Sequence, residues 1–449
     1  MKKNILAQAI AIALMASPLA ASASEAELMK RLDKLAAEVE QLKAELAATR
    51  KKTDTVEKRQ DAIAAAPAAP AAVVAAAPAA TAPVATVATA SPSPATMLGP
   101  NTVLSSYGEV NYTRPRHDSS KSQADVARAV IGITHRFDEK TKMVAEFEWE
   151  HAVTSASDKG ETEVEQLYVE REFNNGLRAK GGLFLIPAGL LNTNHEPTAY
   201  YGVYRNFVET AIIPSTWREA GLGLSQTLDN GLTWDTGLTT GFDLSKWDST
   251  STDGRTSPLG SIHQEGQMAK SHDLSVFGAL NWRGVPGLLL GGSVFTGKVG
   301  QKTPDFPAQD ARLTLWDLHA RYTPGKWDLS AVYARGTISN TEALNQTVAG
   351  NPTPVPSSFY GWYAQAAYQL WKNSDYTLTP FLRYERFNTA NGYAAMPAGL
   401  AVATGPNEGV WTVGTNFNVG EGVVLKADYQ KFKVDTARDR FNLGLGYAF

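Results

Sequence analysis

Phe441-Asn442-Leu443-Gly444-Leu445-Gly446-Tyr447-Ala448-Phe449 places a large apolar side chain at every second position. Successive side chains of a strand point to opposite faces. One face of this strand therefore carries Phe441, Leu443, Leu445, Tyr447 and Phe449, and the other carries Asn442, Gly444, Gly446 and Ala448. The same texture fills the chain back to Val103. From Lys142, Ala145, Phe147 and Trp149 alternate with Glu146, Glu148 and Glu150. From Ser358, Tyr360, Trp362, Ala364, Ala366, Tyr368 and Leu370 form one stripe. Strands of about ten residues with this alternation, separated by turn residues, are the signal of a transmembrane barrel.

Sixteen such runs start near Val103, Ala127, Met143, Val164, Leu177, Arg218, Leu232, Leu274, Leu288, Leu313, Trp327, Tyr360, Tyr376, Trp411, Val423 and Phe441. The even count leaves both chain ends on one side. The connections alternate in length. Asp138–Thr141, Asn174–Gly176, Asp229–Gly231, Gly284–Gly287, Pro324–Lys326, Lys372–Asp375 and Gly420–Gly422 are short and turn-rich, while 187–215, 244–272, 340–357 and 389–407 are long. Asn-Gly and Pro-Gly pairs suit tight hairpins. Trp234, Trp282, Trp327, Trp371, Phe137, Phe173, Tyr322 and Tyr376 cluster near the short turns, as an aromatic girdle at a membrane interface would.

A β-sandwich or β-helix would have to bury the second face. That face carries Arg128, Arg136, Glu146, Glu148, Glu150, Arg178, Lys180, Glu219, Arg383, Glu385, Lys426 and Asp428. Unpaired buried charges cost several kcal/mol each, so a water-filled interior is the expectation.

The N-terminal hundred residues read differently. Lys2 and Lys3, the apolar run Ile5–Ala16 and Ala21-Ser22-Ala23 predict a signal peptide over 1–23, cleaved before Ser24. Leu28, Leu32, Leu35, Val39, Leu42 and Leu46 alternate four and three apart, predicting an α-helical coiled coil over 24–63. Residues 64–100, rich in Ala and Pro, cannot bury a core and predict a semi-rigid linker. Residues 101–449 form the barrel domain. The expected fold is thus all-β: a sixteen-stranded antiparallel transmembrane β-barrel preceded by a coiled coil. A barrel after an export signal places the chain in the outer membrane of a Gram-negative bacterium, with the N-terminal region in the periplasm. Its partners are then outer-membrane lipid and, through the coiled coil, peptidoglycan or another periplasmic contact.

The chain has no cysteine and a net charge of −3. Thiolate chemistry and disulfides are excluded, and nucleic acid is not an expected partner. No phosphate-binding glycine loop, His-Glu-x-x-His pair or nucleophile elbow occurs, so no enzyme and no cofactor is expected. His195 is taken as a polar loop residue rather than a ligand. Glu146, Glu148 and Glu150 are taken as a solvated wall rather than a cation site, and no metal is assigned.

The stretch Gly182–Pro197, running through Ala199–Thr210 to Ile213–Gly221, resembles the phosphate-selective porin O and P family. The resemblance covers about 103–449. It implies a homotrimer of sixteen-stranded barrels, a third external loop folded into the pore, and anions such as phosphate among the solutes. The terminal Phe449 resembles the signal read by the barrel-assembly machinery. One departure matters. Loop 187–215 holds no lysine and one arginine, Arg205, beside Glu196 and Glu209, and residues 101–449 carry 31 Lys and Arg against 36 Asp and Glu. Phosphate selectivity is therefore not carried over.

The sequence thus points to passive diffusion of small hydrophilic solutes. Its alternative is a barrel that anchors a tether or adhesin. The expected pore-lining residues are Arg128, Glu146, Glu148, Glu150, Arg178, Lys180, Arg218 and Arg383 on the wall, with His195, Glu196, Arg205 and Glu209 facing the water path from the loop.

Overall fold

The computed structural model describes residues 96–394 and 402–449. The expected signal peptide, the expected coiled coil and nearly all of the expected linker lie outside the described residues. Sixteen antiparallel strands follow in chain order: β1 Thr102–Pro115, β2 Gln123–Arg136, β3 Thr141–Glu150, β4 Thr162–Glu172, β5 Arg178–Leu185, β6 Arg218–Thr227, β7 Leu232–Thr239 and β8 Ser275–Trp282. They continue with β9 Leu288–Lys298, β10 Arg312–Tyr322, β11 Trp327–Ser339, β12 Pro356–Tyr368, β13 Tyr376–Tyr393, β14 Glu408–Val419, β15 Val423–Phe432 and β16 Arg440–Ala448. Trp371–Lys372 prolongs β12 along β13, and Thr96–Gly99 folds back on β1.

Each strand pairs with its sequence neighbour, and β16 closes on β1 from Arg440↔Pro115 to Ala448↔Tyr107. Phe449 completes the seam by exchanging backbone hydrogen bonds with Ser106 at 2.9 and 3.0 Å. Among the described residues, closure leaves none of the sixteen strands as a sheet edge.

Alternation sets the two surfaces. Outward, Leu318, Leu222, Phe441, Leu443, Leu280 and Val413 are more than half exposed. Inward, their strand neighbours Asp317, Asn442 and Thr412 are buried. Of the eight aromatics near the short turns, Phe137, Phe173, Tyr322, Trp327, Trp371 and Tyr376 are exposed, and Trp234 and Trp282 are half-buried.

The interior differs from a uniformly wet lumen. Phe277, Phe295, Leu313, Leu315, Val332, Ile338, Phe359 and Phe387 point inward from β8–β13 and form a hydrophobic core with two long loops. Loop 186–217 contributes Val208, Ile212, Ile213 and Trp217, and loop 240–274 contributes Phe242, Leu244, Leu259 and Ile262. Trp217 packs edge-on to Phe295 at 4.6 Å, and Phe207 stacks on Phe387 at 5.0 Å. Fully burying such a side chain stabilises by about 1.5–3 kcal/mol. Glu219, expected on the wet face, is buried beside this core and accepts hydrogen bonds from Trp217 Nε1 (3.1 Å) and Thr240.

Candidate functional site: a loop across the lumen

Loop 186–217 leaves the end of β5 and returns to β6, and Asn192 closes its neck. Its Nδ2 donates to the carbonyls of Ile186 (2.7 Å) and Trp217 (2.8 Å), and its Oδ1 accepts from Trp217 N (2.7 Å). From this neck the loop reaches the far wall. Val203 N donates to Asp428 Oδ2 on β15 (2.7 Å). Gly202 N donates to Asn416 Oδ1 on β14 (3.2 Å), and Asn416 Nδ2 donates back to the Tyr200 carbonyl (3.0 Å). Phe207 N donates to Glu385 Oε2 on β13 (2.6 Å), while Arg383 bonds Glu385 (3.0 Å) and the Tyr201 carbonyl (3.2 Å). A loop carries many backbone donors, and away from water each needs an acceptor. The wall's Asp428, Glu385 and Asn416 supply them.

Two glycines make the path possible. Gly202 has φ of 87° and a Cβ there would sit 3.2 Å from Asp428 Oδ2. Gly189 has φ of 67° and a Cβ would meet Glu209 Oε1 at 2.4 Å. Only glycine takes such angles at no steric cost.

Glu209 is the loop's own fastening. Oε1 accepts from the amides of Leu190 (2.6 Å) and Leu191 (2.7 Å), and Oε2 accepts from Asn206 Nδ2 (2.8 Å) and the Tyr363 hydroxyl (3.0 Å). Burial pushes its carboxyl above the usual range, against the pull of these donors. Glu209 therefore does not face the water path as the sequence predicted. Neither does His195, which is 5% exposed. Its Nδ1 meets the Asn192 carbonyl at 3.0 Å, and its Nε2 meets the Tyr107 hydroxyl at 2.7 Å and Glu165 Oε1 at 2.6 Å. Both residues were read as water-facing because a polar loop residue gives no sign, in one dimension, of which neighbours enclose it.

Of the other loop residues, half-buried Glu196 borders a 380 Å³ cavity with Arg283, Arg321, Asp328 and Arg383. Arg205 borders a second cavity of 330 Å³, with Asp125, Glu150, His151 and Arg440. It is tied to Ser215 (2.5 Å) and Thr216 (2.9 Å) of its own loop. The loop's Tyr200 lines both cavities.

On the wall, several of the expected pore-lining charges pair locally. Arg128 bonds Glu109 (2.8 Å) and the His195 carbonyl (2.9 Å), with Glu148 at 4.0 Å. Arg218 is buried and contacts Glu163 (2.5 Å) and Glu265 (3.2 Å). Arg178 donates to Ser225 (3.0 Å), and Lys180 lies 4.3 Å over the Phe184 ring. Arg321 makes a two-pronged pair with Asp328 at 2.9 and 2.6 Å. Lys426 is buried with its ammonium 3.5 Å over Tyr200. Glu146 and Glu150 are half-buried, and Glu148 is buried.

Tyr107, Glu109, Glu163 and Glu165 were missed, and Glu165 had a signal. On β4 the outward apolar residues are Val164, Leu167 and Val169, which slip by one between 164 and 167. Here β3 pairs Glu146 with Gln166 and Phe147 with Val164, leaving Glu165 as the extra residue of a bulge. Bulges re-aim side chains, and this one turns Glu165 inward, where it is fully buried.

No protein-family model matches the chain. A protein of Aquifex aeolicus (strain VF5), of uncharacterised function, is 26% identical over 357 residues, covering 77% of this chain and 79% of that one. Among solved structures, the Salmonella typhi OmpF complex with daunomycin is 14% identical, covers 78% of this chain and 98% of that one, and has a TM-score of 0.54. The outer membrane channel DcaP of Acinetobacter baumannii is 13% identical, covers 78% and 98%, and has a TM-score of 0.47. The likeness to OmpF shows a shared barrel fold.

Proposed function

We propose that the protein is an outer-membrane porin through which small hydrophilic solutes and ions diffuse passively. The observation that carries this reading is the loop fastened across a closed barrel, with two cavities bordering it whose linings include charged side chains. A barrel serving only as an anchor needs no such internal partition. The apolar outer face, with exposed aromatics near the short turns, fits a bilayer. The long loops then face outward, and the first and last strands meet at the periplasmic side. A homotrimer accompanies this reading, testable by cross-linking in detergent.

Selectivity is weak. Several wall charges neutralise one another in pairs, Arg128 with Glu109, Arg321 with Asp328 and Arg383 with Glu385, and the net acidity of 101–449 leans the pore toward cations. Phosphate preference is not part of the proposal, because the loop has a single arginine and that arginine is bonded to its own loop.

The test is single-channel recording of the purified full-length protein in a planar bilayer. Stepwise, stable conductance is expected, with larger steps when residues 196–208 are shortened. A bilayer that stays closed, with heat-modifiable folded protein present, overturns the pore in favour of an anchor.

A further inference from the structure

Strand register puts a row of basic side chains on the outer face of the barrel. Arg335 of β11 lies across from Trp316 of β10, and Arg386 of β13 lies across from Trp362 of β12. Lys431 of β15 lies across from Trp411 of β14, and Arg114 of β1 lies across from Phe441 of β16. Each of these basic residues follows a tyrosine by two positions and so shares its face. The residue between is turned inward. Ala334, Glu385 and Gln430 are buried, and Thr113 meets Tyr204 of the loop at 2.6 Å. In the sequence these are four separate tripeptides, and closure of β16 on β1 joins them into one arc.

The aromatics of the arc touch. Tyr333 packs on Trp316 at 5.3 Å, Tyr384 on Trp411 at 4.6 Å and Tyr429 on Phe441 at 4.7 Å. Such a belt sits at the headgroup level of a membrane. The four strands run from short turns to long loops, so each basic residue stands one step beyond its tyrosine on the long-loop side. Arg114, Arg386 and Lys431 are exposed and Arg335 is half-buried. Among the described residues none of the four has an ion pair or a side-chain hydrogen bond. On the adjoining arc Lys298 of β9 is instead neutralised by Asp310 at 2.6 Å. An uncompensated row of cations in a barrel region that is acidic as a whole calls for an anion outside the protein.

Beside Arg114 the outer wall is hollowed. A groove of 680 Å³ is lined by Tyr112, Val413, Tyr429, Phe441 and Leu443, with Arg114 and Arg116 also bordering it. Arg116 Nη1 donates to the Tyr429 hydroxyl at 3.1 Å. An apolar groove bordered by guanidinium groups fits an acyl chain that ends in an anionic headgroup. Guanidinium forks match phosphate oxygens, and each basic side chain near anionic lipid adds to the attraction. Resting on the porin reading, in which the long loops face outward, we propose that this arc binds the phosphate groups of an acylated, phosphorylated lipid of the outer leaflet. One acyl chain of that lipid lies in the groove beside Phe441.

The test uses the full-length protein in neutral detergent, with bound lipid counted by native mass spectrometry. The probes are lipid A with its phosphates, the same lipid after enzymatic dephosphorylation, and inorganic phosphate. Lipid A should stay bound, and the dephosphorylated lipid should bind about tenfold more weakly. Inorganic phosphate should not compete. Arg114→Gln and Lys431→Gln should each weaken lipid A binding about fivefold. Lys159→Gln, in an exposed loop away from the arc, should leave it unchanged. Heat-modifiable migration establishes that each variant is folded. Equal binding of the two lipids overturns the proposal, since the contact would then be apolar alone. Competition by inorganic phosphate also overturns it, since the arc would then hold a free ion. Because binding is read without any conductance measurement, a conducting protein that does not distinguish the two lipids defeats this proposal alone.

Discussion

The two sides of the lumen obey one rule and end up different. From β9–β12, Phe295, Leu313, Leu315, Val332 and Phe359 point inward into a dry core. From β1–β4, Tyr107, Glu109, Arg128, Glu148 and Glu165 also point inward, into a network of charges and hydrogen bonds. Strand alternation separates inside from outside equally on both sides. It does not separate wet from dry. That second division is made by loop 186–217, whose Phe207, Ile212 and Ile213 face one wall while its Tyr200 and His195 face the other.

The contrast breaks most readily at the dry wall. Phe359→Ala should cost about 3–5 kcal/mol, the range for emptying a packed aromatic site, measured by urea unfolding in lipid vesicles. A loss below about 1 kcal/mol would mean that this side is not a core. Next comes Glu209→Ala, which removes the acceptor for two amides, Asn206 and Tyr363. It should cost about 4 kcal/mol or more, given about 1–3 for each of the four buried donors left unsatisfied. Single-channel current should become larger and noisier, and the loop cleavable by protease. Unchanged current would show that the fastening does not hold the partition.

On the wet side the effects move to selectivity. Changing Glu146 and Glu148 together to Gln should shift the reversal potential toward anions, and Arg205→Glu should shift it toward cations. The permeability ratio should change by up to about fivefold, from roughly 1 kcal/mol for a unit charge at 4 Å in water. If both variants leave the potential in place, these charges do not border the ion path. The smallest effect is expected at Lys426, whose ammonium sits over Tyr200 without a hydrogen-bond partner. Lys426→Met should cost about 1 kcal/mol, the scale of a cation–π contact, in the same unfolding assay. A cost of several kcal/mol would assign Lys426 a larger part in balancing Glu109 and Asp428.

The barrel was legible because its signal is local and repeated. Each of the sixteen predicted starts falls within four residues of an observed strand's start, and four of the seven short turns carry an Asn-Gly or Pro-Gly pair, at 175–176, 230–231, 286–287 and 324–325. The site was legible only in composition. The loop's aromatics and charges were visible at 187–215, yet Glu209 and His195 turned out to be enclosed, since enclosure depends on partners such as Tyr363, Tyr107 and Glu165 from distant strands. Glu165 escaped because period-two reading fails at a bulge, where two successive residues can share one face.

By itself the sequence determined, outside bulges such as that at Glu165, which side chains face out and which face in, because a strand's period of two is built into the backbone and needs no partner. Only the tertiary structure decided which inward residues meet water, which pack dry and which converge on His195. Those outcomes rest on a loop whose backbone donors find acceptors on strands more than a hundred residues away. No local pattern encodes which acceptor each donor will reach.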